Sequence, residues 1–150
     1  MIIGVISDTH GLLRPEAVEA LSPAELILHG GDIGSPEMIP ALERIAPVVA
    51  IRGNVDTAEW ARAYPETRMV EACGLTAFLI HDVQDFKPAA DQPVDLVISG
   101  HSHKARDVTV DGIRYLNPGS AGPRRFKLPV TVRLLRVASG RVEFEVVSLA

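Results

Sequence analysis

The sequence predicts an α/β protein in which two β-sheets face each other with helices outside. Three observations carry that expectation. Five short apolar runs end in glycine or directly in a polar residue, helical patterns separate the first three of them, and the last third of the chain reads as antiparallel hairpins.

The first run, Ile2 to Ile6, delivers Asp8 and His10 into Gly11. In an extended segment residues i and i+2 share a face, so these two side chains are expected to reach one point in space. Glu25-Leu26-Ile27-Leu28-His29-Gly30-Gly31 leads to Asp32, and Pro47 to Gly53 leads to Asn54. Leu75 to Ile80 leads to His81, and Asp95 to Gly100 leads to His101 and His103. Arg14 to Leu21 has a helical pattern. A second runs from Ser35 to Ile45, with Ser35 as N-cap, Pro36 at the first helical position and Met38, Ile39, Leu42 and Ile45 on one side. Strand, helix, strand, helix, strand implies parallel pairing, and in such open sheets the ligand site lies beyond the carboxyl ends of the strands.

After His103 the pattern changes. Val108-Thr109-Val110 and Ile113 to Leu116 flank Asp111-Gly112, the pair a tight hairpin turn needs because both central residues take positive φ. Val130 to Val137 and Arg141 to Leu149, joined through Ala138-Ser139-Gly140, form a second hairpin.

The 150 residues, 47% hydrophobic and 23% charged, fit a single domain spanning the whole chain, with a core of ordinary size. Net charge is −4 and basic runs are short, which disfavours duplex nucleic acid as a partner. The opening apolar run is far too short to cross a bilayer, so no membrane role is expected. Cys73 is the one cysteine and reads as a strand-edge or turn residue; it fits a reducing cytoplasm.

Asp8, His10, Asp32, Asn54, His81, His101 and His103 therefore all close apolar runs, and four of the five histidines are among them. Mixed oxygen and imidazole donors without thiolate suit Mn, Fe, Ni or Zn. Seven protein donors are too many for one ion and suitable for two divalent ions sharing a bridge. Such a site stays positive and attracts an anion, and paired ions can hold a hydroxide between them and clamp a phosphoryl centre. His29 reads as a core histidine holding Asp32 or a backbone group. Trp60 and Tyr64, at i and i+4, read as packing.

The motifs Asp8-Thr9-His10, Gly31-Asp32, Gly53-Asn54-Val55-Asp56, His81 and Gly100-His101-Ser102-His103 resemble those of the calcineurin-like metallophosphoesterases, in their small bacterial and archaeal phosphodiesterase branch. The resemblance implies a four-layer α/β/β/α sandwich of two facing mixed sheets. It implies one metal on Asp8, His10, Asp32 and His103 and another on Asp32, Asn54, His81 and His101, with Asp32 as bridge. It also implies hydrolysis of a small phosphodiester through a bridging hydroxide, with Asn54, His81 and His101 as catalytic residues and His81 or His101 orienting the leaving group. The loop Asn117 to Arg125 is similar to the branch's last loop, which makes Asn117, Ser120 and Arg124 the expected substrate contacts, with Arg125 the rival of Arg124. Two departures stand out. Val55 follows Asn54 where many relatives carry His, leaving the general acid unassigned, and Asp82-Val83 follows His81 where relatives often carry Gly-His. Two other readings use the same frame: a nuclease, and a protein-binding scaffold such as the retromer subunit Vps29, whose metal set is impaired. A scaffold has no need of complete ligands, and all seven are present. Oligomeric state does not follow from the sequence.

Overall fold

A computed structural model describes residues 1–125, 127–139 and 141–149. The elements are β1 (Ile2–Ile6), α1 (Pro15–Leu21), β2 (Leu26–His29), α2 (Met38–Glu43), β3 (Val48–Ala50), β4 (Thr67–Ala72), β5 (Leu75–Ile80), β6 (Leu96–Ile98), β7 (Arg106–Val110), β8 (Ile113–Asn117), β9 (Thr131–Ala138) and β10 (Arg141–Ser148). They form two five-stranded sheets, ordered β10-β9-β1-β2-β3 and β4-β5-β6-β8-β7. Both are mixed. β1 is parallel to β2 and antiparallel to β9, while β6 lies parallel to β5 and β8.

The period-2 alternation along β1 decides the layers. Ile3 and Val5 join Leu28, Leu79, Ile98, Leu116 and Leu135 in the core between the sheets. Ile6 faces the other way and packs with Ile27, with Ala17 and Leu21 of α1, and with Met38, Ile39 and Leu42 of α2. The result is the α/β sandwich expected. Its fourth layer is thin: Phe86, just after the 3₁₀ turn Val83–Asp85, lays its ring 5.5 Å from Phe78 and 6.1 Å from Tyr115 on the outer face of the second sheet.

The second helix begins later than the sequence suggests. Its cap is Glu37, and no side chain caps it; Ser35 only accepts a turn bond from Met38 N–H at 3.4 Å. Pro40 explains the shift. It has no N–H to donate and tolerates only the first turn, so a helix starting at Pro36 would bury a proline in its interior. The hairpin β4–β5 also went unread. Its turn is Cys73-Gly74, at φ 49° and 79°, the same left-handed pair that Asp111-Gly112 makes at 51° and 80°. Cys73 is accordingly an exposed turn residue. The β9–β10 hairpin pairs Ala138 with Arg141; Gly140 of its turn lies outside the described residues. Trp60 and Tyr64 pack edge to face at 6.4 Å against the helix-side core, as ordinary packing residues do.

Candidate metal centre

All seven predicted donors lie just past the carboxyl ends of β1, β2, β3, β5 and β6. Asp8 and His10 do meet, but not as neighbours along a strand. β1 stops at Ile6, and both residues turn into the left-handed region at φ 55° and 47°. What aligns them is the neighbouring loop. Asp8 N–H donates to Gly31 O and His10 N–H to Asp32 O, each at 3.0 Å, so the two loops continue the β1–β2 pairing past the end of the sheet.

Two groups of donor atoms are compact. Asp8, His10 and His103 form one; Asp8, Asp32 and His81 form the other. Asp8 Oδ1 stands between them, 3.6 Å from His103 Nε2 and 3.9 Å from His81 Nε2. Asp32 Oδ2 also reaches both ways, 3.2 Å from His81 Nε2 and 3.7 Å from His10 Nε2. Asn54 and His101 meet each other at the rim, Oδ1 to Nδ1 3.3 Å, outside these compact groups. His101 is the most open of the histidines in the set, its side chain 48% exposed against 8% for His81.

Ring nitrogens test whether a cation fits. His81 Nδ1–H donates to Gly30 O at 2.7 Å. Its Nε2 is buried and faces the carboxylate oxygens of Asp32 at 3.2 Å and Asp8 at 3.9 Å. His10 Nε2 and His103 Nε2 lie 3.3 Å apart, within reach of one hydrogen bond between neutral rings. Carboxylate oxygens and imidazole nitrogens converging in two compact groups are the donor types that divalent transition-metal ions take, so the residues fit such ions.

The electrostatics follow from burial and neighbours. Burial pushes the Asp8 carboxyl up against the opposing pull of His81, the Ser7 hydroxyl and His103. Burial acts in the same direction on Asp32, but His81, the Val55 N–H at 3.1 Å and His10 outweigh it and hold Asp32 below its usual value. For His81 burial is outweighed by Asp32 and by the Gly30 carbonyl, and the net shift is upward. His103 is lowered, by burial first and, against the pull of Asp8, by the nearby charges of Arg125 and His10.

Several supports could not be read from residue spacing. Asp56 is buried and accepts three backbone N–H bonds, from Ile33 at 2.9 Å, Gly34 at 3.0 Å and Gly53 at 2.8 Å, tying the Asp32 loop to the Asn54 loop. A carboxylate three residues after a glycine turn is the available clue to it. Ser7 Oγ donates to Asp8 Oδ2 at 2.8 Å, and His101 N–H donates to both Asp8 oxygens at 3.2 Å. Gly100 must be glycine because an added Cβ would collide with Ser7 Oγ and Asp8 Oδ2. His29 holds backbone as expected: Gly31 N–H donates to its Nδ1, its Nε2–H to Thr9 Oγ1, and Thr9 Oγ1 in turn to Ile33 O. Burial holds this imidazole neutral, its pKa lowered to about 3.

Two expected substrate contacts are engaged within the loop. Asn117 is buried, its amide nitrogen donating to Gly100 O at 2.9 Å and Ser102 Oγ at 3.1 Å while its oxygen accepts from Gly119 N–H at 2.9 Å. Ser120 is buried too and donates to Asp8 O at 3.1 Å. Both hold the loop beneath the candidate donors through these hydrogen bonds. Arg124 and Arg125 are exposed, and Arg125 is the one whose charge is felt at His103. His81 is enclosed on both sides, Nδ1 by Gly30 O at 2.7 Å and Nε2 by Asp32 Oδ2 at 3.2 Å. His101 is the more open of the two. It opens onto a cleft of about 280 Å³ lined also by Arg52, Asn54, Glu66, Asp82 and Asp85. Val55, 47% exposed, offers no proton there.

Comparison with known proteins agrees with this geometry. The calcineurin-like phosphoesterase superfamily domain matches residues 1–140. A probable metallophosphoesterase of Methanothermobacter thermautotrophicus is 36% identical over 98% of this chain and 92% of its own length. A structurally and functionally characterised archaeal phosphodiesterase superposes with a TM-score of 0.82 at 27% identity, covering 99% of this chain and 100% of that one. Vps29 from Entamoeba histolytica, in a single-mutant structure, reaches a TM-score of 0.76 at 24% identity over 100% of both chains, a likeness of fold. The chain belongs to the calcineurin-like phosphoesterase superfamily and is a metal-dependent phosphoesterase.

Proposed function

We propose that the chain hydrolyses a small phosphodiester with two divalent transition-metal ions, Mn, Ni, Fe or Zn. The observation that carries this reading is the doubling of donor groups around shared carboxylates, with His81 Nε2 3.2 Å from Asp32 Oδ2 and 3.9 Å from Asp8 Oδ1. One ion would be held by Asp8, His10, Asp32 and His103 and the other by Asp32, Asn54, His81 and His101, with Asp32 common to both sets. Asp8 Oδ1, 3.6 Å from His103 Nε2 and 3.9 Å from His81 Nε2, would be a second carboxylate available to both sets.

Two such ions, when bound, polarise phosphoryl oxygens and bring water's pKa toward neutrality. The chain's own residues do the rest. Asp8 and Asp32 supply the anionic centre, Gly30 fixes the ring of His81, and Arg125 adds positive charge beside His103 where phosphate oxygens gather. The cleft past His101 receives one ester arm, and its size suits a small group. With no acid at position 55, diesters with good leaving groups react fastest. The single exposed cysteine needs no oxidising compartment, and we place the enzyme in the cytoplasm. The test is hydrolysis of an aryl phosphodiester by Mn- or Ni-loaded protein. Wild type turns it over and Asp32→Ala does not; equal rates for the two overturn the reading.

A further inference from the structure

We infer that Asp82 is a positioning residue that selects the ring state of His101 and so presents its Nδ1 to the outer metal position. The argument rests on the two-metal reading for its consequence but not for its geometry.

His101 stands at the rim with little packing to hold it. Its backbone is left-handed at φ 72°, its side chain is about half exposed, and its ring touches His81 only edge-on, centroids 5.3 Å apart. Two acceptors compete for its single N–H. On one side Asn54 Oδ1 lies 3.3 Å from Nδ1; on the other Asp82 Oδ2 lies 3.8 Å from Nε2. If Asn54 wins, the proton sits on Nδ1 and blocks the nitrogen that faces Asn54. If Asp82 wins, the proton sits on Nε2 and the Nδ1 lone pair joins Asn54 Oδ1 as a second donor atom. A hydrogen bond to a carboxylate is roughly twice as strong as one to a neutral amide, and a small rotation of an exposed ring closes the longer gap. Metal-binding histidines are commonly held in this way by a carboxylate on the far nitrogen.

Asp82 is built for this role by what surrounds it. It follows His81 directly, so β5 places it, and its Oδ1 is anchored by Gln84 N–H at 3.0 Å, which leaves Oδ2 turned toward His101. Asp85 lines the same cleft and makes no ion pair with His101 among the described residues, which provides a charge control.

Nitrogen-15 spectroscopy of the histidine rings, on metal-free full-length protein above the histidine titration range, reads the tautomer directly. Wild type carries the His101 proton on Nε2, Asp82→Ala moves it to Nδ1, and Asp85→Asn leaves it on Nε2. Backbone amide spectra unchanged away from His81–Asp85 establish that the variants are folded. In a Mn titration, Asp82→Ala weakens the second equivalent about 10- to 100-fold and spares the first. An Nδ1–H tautomer in wild type, no change in Asp82→Ala, or an equal change in Asp85→Asn overturns the inference. A wild-type protein that takes up no second Mn overturns the two-metal reading instead, and the tautomer result then decides the role of Asp82 alone.

Discussion

Two polar clusters bridge the sheets, one partly exposed and one largely buried, and they are built on opposite plans. At one, Arg133 of β9 meets Asp107 of β7 at 3.5 Å, and Arg114 of β8 forks onto the same carboxylate at 2.9 and 3.0 Å. The Arg114 hydrogen bonds hold Asp107 below its usual value despite some burial, with Arg133 helping. At the other, loops of the first sheet bring Asp8, His10 and Asp32 against His81 and His103 from the second, and among the described residues no Lys or Arg forms an ion pair with these two carboxylates. Backbone geometry separates the two clusters just as sharply. None of the three residues at the first adopts positive φ, whereas Asp8, His10, Asp32, His101 and His103 all do. A non-glycine residue in that region costs about 1 kcal/mol or more. Charges that the protein pairs for itself thus sit on relaxed strands, and donors reserved for an outside ion sit on strained loops.

Substitutions should separate the clusters cleanly. The largest effect is expected for Asp8→Asn, which removes the carboxylate shared by both donor groups: kcat/KM with an aryl phosphodiester should fall by about 10²–10³-fold, the range for loss of one electrostatic stabiliser. Because the buried Asp8 carboxyl is pushed up, the same variant should unfold at higher denaturant than wild type in the presence of a chelator. At the paired cluster the effect is smaller. Arg133→Leu leaves Asp107 its two Arg114 bonds and should cost about 1 kcal/mol or less in urea unfolding, with activity per folded molecule unchanged.

Metal sharpens the contrast. At about 100 times its dissociation constant, Mn should stabilise wild type by about 2.7 kcal/mol per bound ion, and should restore Arg133→Leu by the same increment while doing much less for Asp8→Asn. Equal gains in all three would place the ion elsewhere.

The remaining effect concerns pH. His29 is neutral in the fold to about pH 3, while its unfolded value is 6.5. Between those values the unfolded chain takes up a proton that the folded chain refuses. Stability from this group is therefore complete above pH 6.5 and falls as pH drops, by up to about 1.4 kcal/mol per unit. His29→Gln should flatten the slope measured by urea unfolding between neutral pH and pH 5.

The apolar runs made most of the strands legible, and with them the seven donors, because a polar residue closing a buried strand has few other places to go. Local signals misled where a longer-range demand overrode them. Ser35-Pro36 looks like a helix start, yet Pro40 moves the start to Met38. Asn117 and Ser120 look like substrate contacts in a Pro/Gly loop, and only the fold reveals that Gly100 O and Asp8 O claim them first. Cys73-Gly74 hid a hairpin because cysteine is an unusual first residue for that turn. Asp56 was visible in its motif but its three partners were not, since two of them lie more than twenty residues away.

The left-handed loops also decide how such a site can decay. Apart from glycine, the residues that tolerate positive φ best are Asn, Asp and His, which are also the ones that supply oxygen and imidazole to an ion. Shape and chemistry therefore choose from the same short alphabet. Drift at positions 8, 10, 32, 101 or 103 that respects the backbone passes first through Asn or Gly, which keep the turn and weaken the ion's hold. The frame can outlive its metal, and descendants of a hydrolase can keep the whole sandwich while losing the reaction.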